Sequence, residues 1–390
     1  VYHRLLDIHH IIKLAYSNNK RYLCEKFRNE NFRNMNNPFK FGSVVDEPYF
    51  TDRTNELAYI KHSMNSTNHI VLISPRRFGK TSLVKKAIKE INRPSIFINL
   101  QMAVSVENLA SLLLKEIFKL RPFEKVKHLM THFRIIPTIS TNPFSDAVDV
   151  SFQPSLDSTA ILEDALALLE KVSSPTNRII TVFDEFQEIM GIEKGLDKRL
   201  RAIMQEQQNI NYIFLGSQES MMTQIFERKK SPFYHFGMLM HLDKIPYDDF
   251  MQYITQRLPL KDSTQTNDIA KDILDTTLCH PYFTQQLASQ VWEILTYSDV
   301  KENIVKEAVE QLTIIHDLDF ERLWMNFNKT DKYIMLNLAH KKQPSSTRSL
   351  PTSTIYSSVK RLMQMGYIIK INEYEIEDPF FRNWLIKKQG

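Results

Sequence analysis

Short unbroken apolar runs and longer stretches of helical spacing alternate along the first two thirds of the chain. Runs at 70–73, 95–100, 178–183, 211–215 and 238–242 read as buried strands, too short for helices and bounded by polar residues. After the first run, Leu83, Val84, Ala87 and Ile88 have helical spacing, as do Val106, Leu109, Leu112, Leu113 and Ile117, and the stretch 159–172. Strands alternating with helices predict an α/β core with a parallel sheet, closed by the fifth run. From 245 the pattern is wholly helical, at Phe250, Tyr253 and Ile254, at Ile269, Ile273 and Leu274, at Tyr282, Leu287, Val291 and Ile294, and at Val305, Ala308, Val309 and Leu312. Helix starts are expected at Pro246 and Pro281. The end changes again: a helix over 331–340, a polar loop, a helix over 352–364, two short runs about Asn372-Glu373 that pair as a hairpin, and a helix over 380–388. Helix, helix and hairpin predict a winged helix-turn-helix.

The expected organisation is a core over 35–244, a helical lid over 245–327 and a winged helix over 328–390. Residues 38–50 look extended, and a helix begins after them with Thr51 or Asp52 as its cap and Glu56 in its first turn. The stretch 121–158 is irregular, with Pro122, Pro137, Pro143 and Pro154, and alternation at Val148, Val150 and Phe152 suggests a short strand in an insertion. Residues 1–34 open on Val1, are rich in Asn, Arg, Lys, Tyr and His and have weak periodicity. Two readings are open for them: an upstream extension before a native start at Met35, or a helical arm on Leu5, Ile8, Ile11 and Ile12.

Composition narrows the class. With 390 residues and 43% hydrophobic content, two or three globular domains are expected. Two cysteines, Cys24 and Cys279, form neither a disulfide framework nor a zinc pattern, which suits a reducing cytoplasm. No apolar run approaches the roughly 18 residues of a membrane helix. The net charge of +5 is uneven. Residues 1–34 carry seven Lys/Arg against three Asp/Glu, and residues 329–390 carry eleven against five, so the middle is net acidic.

The candidate chemistry lies at two strand ends. The run 70–73 leads into Ser74-Pro75-Arg76-Arg77-Phe78-Gly79-Lys80-Thr81-Ser82 and then a helix. Strand, loop and helix with Gly-Lys-Thr at the helix start is the context of a phosphate-binding P-loop. A helix N-terminus offers unpaired N–H groups and partial positive charge to phosphate. Gly79 allows close backbone approach, Lys80 reaches the β- and γ-phosphates, and Thr81 offers a hydroxyl to Mg²⁺. Ser74 stands where the pattern usually opens with Gly, so either Ser adopts that backbone angle or the loop starts differently. The second strand end is Asp184-Glu185 after 178–183, where Asp184 would hold the Mg²⁺ shell and Glu185 polarise the attacking water. The blander reading, an acidic helix cap after a strand, loses weight beside a P-loop. Ser217 or Gln218, at the end of the next strand, is expected between the γ-phosphate and the acidic pair, against a reading as plain turn residues.

The chain resembles the archaeal-type AAA+/STAND ATPases. The likeness rests on Asn37-Pro38-Phe39, Phe50 with Arg53 and Glu56, the Pro75–Leu83 loop, Asp184-Glu185-Phe186-Gln187 and the closing Asp378–Leu385 segment. It implies a three-layer P-loop sandwich, a helical lid and a winged helix, with ATP and Mg²⁺ as cofactors. It also implies that Phe50 and Arg53 line the adenine side and that Pro281 of the lid touches the base. The family's Gly at 279 is Cys here, and its Gly-Arg before the fifth strand reads Gly237-Met238, which leaves Arg228 as a substitute arginine finger.

The implied activity is Mg²⁺-dependent ATP hydrolysis driving a conformational switch. A DNA-binding regulator with a nucleotide sensor is the alternative, since the C-terminal region is basic and the helix at 352–364 offers Lys360, Arg361 and several hydroxyls. A protein partner, self-association or a scaffold that binds ATP with little turnover also stand open. Asn328-Lys329-Thr330-Asp331 matches a guanine-reading signature, but it sits between helical stretches, so Asp331 is expected to be a cap and ATP the nucleotide.

Overall fold

The computed structural model describes residues 36–131, 133–134, 137–141, 148–152, 158–298, 302–344 and 350–389. The readings of residues 1–34 and Met35, and of Pro143 and Pro154, lie outside these.

Helix α1 (Thr54–Met64) precedes strand β1 (Ile70–Ile73), helix α2 (Lys80–Ile91), strand β2 (Ser95–Asn99) and helix α3 (Val106–Leu120). Strands β3 (Thr138–Thr141) and β4 (Val148–Ser151) form a small antiparallel pair of their own; the alternation at Val148 and Val150 predicted one strand of it. Helix α4 (Ser158–Lys171), strand β5 (Ile179–Asp184), helix α5 (Leu196–Met204), strand β6 (Ile210–Gly216), helix α6 (Glu219–Phe226) and strand β7 (Met238–His241) complete the α/β part. The main sheet is parallel, in the order β2-β5-β6-β1-β7. Every residue of β1 and β6 is buried, as expected of strands covered on both faces. On one face Leu57, Ile60 and Met64 of α1 and Leu83, Val84 and Ala87 of α2 pack on Ile70, Leu72, Val182 and Ile213. On the other, α3, α4, α5 and α6 pack on Phe183, Tyr212 and Phe214. The result is three layers. Because all five strands run one way, the loops after β1, β5 and β6 open on one edge of the sheet, where α/β proteins place ligands.

Helices α7 (Tyr247–Thr255), α8 (Ser263–Thr277), α9 (Pro281–Tyr297), α10 (Ile304–Ile315), α11 (Asp317–Asn326) and α12 (Lys329–Ala339) follow. Helix α13 (Thr352–Gln364), the hairpin β8 (Ile368–Lys370) and β9 (Tyr374–Ile376), and α14 (Pro379–Gln389) end the chain. One continuous apolar core joins Phe39, the helices from α7 to α12 and the terminal segment up to Leu385. The hairpin also reaches the sheet layer: Ile369 packs with Phe78, Leu83 and Leu242, and Lys244 Nζ donates to Glu375 Oε2 at 2.5 Å.

Two expected caps are corrected. Neither Thr51 nor Asp52 caps α1; Arg53 holds the N-cap position with φ 69° and makes no side-chain cap bond. Its buried guanidinium donates instead to Glu56 Oε1 at 2.8 Å and to the Asp243 carbonyl at 2.6 Å. Asp331 is not the cap of α12. Asn328 is, its Oδ1 accepting from the Asp331 N–H at 2.8 Å, while the Asp331 carboxylate accepts from Ser358 and Arg361 of α13.

Candidate functional site

The P-loop is held by one apolar anchor and one cation. Phe78 is fully buried, its ring 4.9 Å from that of His280. The Lys80 ammonium donates to the Ser74 and Pro75 carbonyls, each at 2.9 Å, and to Ser74 Oγ at 3.3 Å. Burial lowers the Lys80 pKa to about 8, against the pull of Glu185 and Asp184, so it is largely protonated at neutral pH. The left-handed positions of the loop are Arg77 (φ 62°) and Gly79 (φ 87°), and Ser74 is not among them. Ser in place of the usual Gly therefore costs no backbone strain here. Gly79 serves this position by its left-handed conformation, and a Cβ there would meet no protein atom within 4 Å. Gly79 caps α2 without a side-chain bond, leaving the first N–H groups of the helix open to an anion.

The two strand ends meet. Thr81 Oγ1 donates to Asp184 Oδ2 at 2.9 Å, joining the start of α2 to the end of β5. Burial raises the Asp184 pKa, and the Thr81 hydrogen bond opposes it. Glu185, at φ 54°, accepts on Oε2 from the Ser217 hydroxyl at 2.5 Å and from Gln187 Nε2 at 2.6 Å. Ser217 thus lies beside the acidic pair. Gln218 precedes α6 and, like Ser217, lines a second cavity between the P-loop and α13.

A cleft of about 630 Å³ opens over the loop. Arg76, Arg77, Phe78, Gly79, Lys80, Thr81 and Ser82 line it, together with Asp184, Glu185, Phe50, Arg53 and Pro281. Ser74 and Pro75 lie behind it as acceptors for Lys80. Arg228 is exposed after α6 and does not line it. Sequence reasoning missed Phe41, Val44, Val45, Tyr282 and Gln285 as cleft walls. The available signals were the aromatic and valine positions within 39–50 and the aromatic beside Pro281 in the first turn of α9. The Val45 N–H donates to Ser82 Oγ at 2.9 Å, tying the leading segment to the P-loop helix. Asn328, Lys329, Thr330 and Asp331 are absent from the lining of this cleft.

The start of α9 lies between the loop and the terminal segment. The Arg77 guanidinium lies 4.8 Å from the Tyr282 ring centre. Glu377 Oε1 is 4.0 Å from His280 Nε2. Burial holds the His280 pKa down near 3, so it is neutral. Burial raises Glu377 to about 7, with Arg77 pulling the other way.

Thr81 and Asp184 are hard oxygen donors side by side, which fits a hydrated divalent ion such as Mg²⁺. The cleft joins an anion-binding helix start, a buried ammonium and a carboxylate, the groups that phosphoryl transfer needs.

Residues 50–262 match the family described as an ATPase domain predominantly from Archaea. Among solved structures, a Walker-type ATPase of Pyrococcus abyssi is similar, with TM-score 0.62 and 16% identity over 90% of this chain and 99% of that one. The ORC2 protein of Aeropyrum pernix, solved in ADPNP–ADP complexes, is similar with TM-score 0.53 and 14% identity over 90% of this chain and 96% of that one. At these identities the likeness concerns the fold. No curated protein sequence matches the chain.

Proposed function

This chain belongs to the ATPase family found predominantly in Archaea, and we propose that it is a Mg²⁺-dependent, STAND-type switch in which ATP hydrolysis changes the seating of the terminal segment on the P-loop. Nucleotide binding and ATP hydrolysis come with the family. The proposal adds the residues and the consequence. The observation that carries the site is the 2.9 Å bond from Thr81 to Asp184, with Glu185 lining the same cleft.

In this reading the N–H groups at the start of α2 and Lys80 take the phosphates, and Phe50, Arg53 and Pro281 bound the base. Thr81 and Asp184 would hold Mg²⁺, whose chemistry there would be to neutralise charge on the phosphate oxygens. Glu185 orients the attacking water and takes its proton. The water oxygen bonds to the γ-phosphorus, the bond from that phosphorus to the β-γ bridging oxygen breaks, and its electron pair leaves with ADP. Ser217 steadies the glutamate.

The switch is supported by what surrounds the loop. Arg77 faces Tyr282, Glu377 faces His280, and Ile369 shares an apolar cluster with Phe78. We assign the working units as core 35–244, lid 245–327 and terminal segment 328–390. The DNA reading has less support. Arg361 and Ser358, two of the polar groups on α13, are engaged by Asp331, and Lys360 lines the cavity facing Arg76.

The test is steady-state ATP turnover of the full chain with and without DNA. Glu185→Gln is expected to lower turnover by about 10²- to 10³-fold while a fluorescent ATP analogue still binds. Wild-type turnover in that variant overturns the assignment. A salt-sensitive gel shift abolished by Lys360→Ala would favour the DNA-binding regulator.

A further inference from the structure

Gln187 closes the acidic motif and has no part so far. It lies in the short turn after β5, fully buried, behind Glu185 and outside the lining of the cleft. Its Nε2 donates to Glu185 Oε2 at 2.6 Å and, at the longer distance of 3.5 Å, to Glu188 Oε1, while its Oε1 has no hydrogen-bond partner among the described residues. The opposite amide orientation would set oxygen against a carboxylate, so the charge on Glu185 selects this one. A buried amide oxygen without a donor costs roughly 1–3 kcal/mol, and an apolar side chain of the same shape would avoid that. What the amide supplies at this position is the bond it donates to the Glu185 carboxylate. Ser217 donates to the same carboxylate oxygen at 2.5 Å. Two donors converge on Oε2, from the turn on one side and the end of β6 on the other.

We propose that Gln187 is a positioning residue for hydrolysis. Together with Ser217 it fixes the rotation of the Glu185 carboxylate and occupies Oε2, so that Oε1 is the oxygen that meets the attacking water and receives its proton. Gln187 itself touches neither water nor nucleotide. The inference rests on the reading of Glu185 as the group that activates water.

The experiment is kinetics of the full chain carrying Gln187→Met, which keeps the length and removes the amide. The expected result is a kcat lower by about 10- to 100-fold, as misplacement of a catalytic group by an ångström costs, with KM and the dissociation constant of the fluorescent ATP analogue within about twofold of wild type. Gln187→Met placed in the Glu185→Gln chain is expected to leave the residual turnover unchanged, because a group that acts through Glu185 has nothing left to position. An equal loss in both backgrounds, or a kcat at the wild-type level, overturns the inference. Should Gln187→Met fail to fold, Gln187→Glu retains the shape and replaces the donor with an acceptor; unchanged kcat there also overturns it. If Glu185→Gln itself keeps wild-type turnover, the reading of Glu185 falls first. If Glu185→Gln is inactive and Gln187→Met is fully active, this inference alone falls.

Discussion

Thr81 and Asp184 stand 103 positions apart in the chain and 2.9 Å apart in space. Each was legible alone, because Gly-Lys-Thr at a helix start and a carboxylate at the end of an apolar strand carry their chemistry in their local setting. Their meeting follows from the sheet order, which sets β6 between β1 and β5. Side-chain partners were not legible. Nothing in the local sequence says that Lys80 folds onto the carbonyls of Ser74 and Pro75, or that Arg53 reaches the Asp243 carbonyl. Such bonds depend on which backbone oxygens the loop turns inward. Thr81→Val keeps the side-chain volume and removes the hydroxyl. Its expected effect is a rise of about 10- to 100-fold in the Mg²⁺ concentration giving half-maximal turnover, read from a magnesium titration of ATPase rate. An unchanged titration would remove Thr81 from the metal's shell.

At the scale of elements, the strands were legible because β1, β5 and β6 are almost wholly apolar, as strands covered on both faces are. Helix α13 matches its expected bounds at both ends, since Pro351 precedes it and its apolar spacing at Ile355, Val359 and Leu362 is regular. Strand β3 was not legible, for its Thr-Ile-Ser-Thr carries little apolar signal and gains its shape from β4. Strand β6 carries the aromatic centre of the core. Phe214 lies 4.5 Å from Phe186, 5.3 Å from Phe226 and 5.7 Å from Phe233. Phe214→Ala leaves a cavity under the turn that holds Glu185. It is expected to destabilise the protein by about 3–5 kcal/mol, measured as a lower urea midpoint; a loss under about 1 kcal/mol would mean that the cluster collapses around the gap.

Over the whole molecule, the terminal segment meets His280 at the start of α9, within the field of the P-loop cations, through a proton-sensitive group. Glu377 is surrounded by His280, Arg76, Arg77, Lys80 and Asp378. Burial raises its pKa from 4.5 to about 7, so the seated form binds its proton more tightly than a solvated form does. Seating is then most favoured below the ordinary carboxylate pKa, and that preference is lost as pH rises through about 7. The protection factor of the β8–β9 hairpin, which is hydrogen exchange corrected for its intrinsic pH dependence, is expected to fall between about pH 4.5 and 7, and Glu377→Gln, which stays neutral, to flatten that fall. Protection that responds equally to pH in both proteins would sever the link. No helix among the described residues is long and apolar enough to cross a membrane.

The leading segment bears on how this protein should be cut for study. Asn37 bonds to Ser289 and Glu293 of α9, Phe41 meets Tyr282 edge-on, and Val45 bonds to Ser82. The family match begins at 50 and ends at 262. A fragment trimmed to those limits keeps the phosphate cradle and discards both sides of the chamber above it, the strap at 41–45 and the helix start at 281–285. What is recognisable by descent and what encloses a nucleotide are different lengths of the same polypeptide.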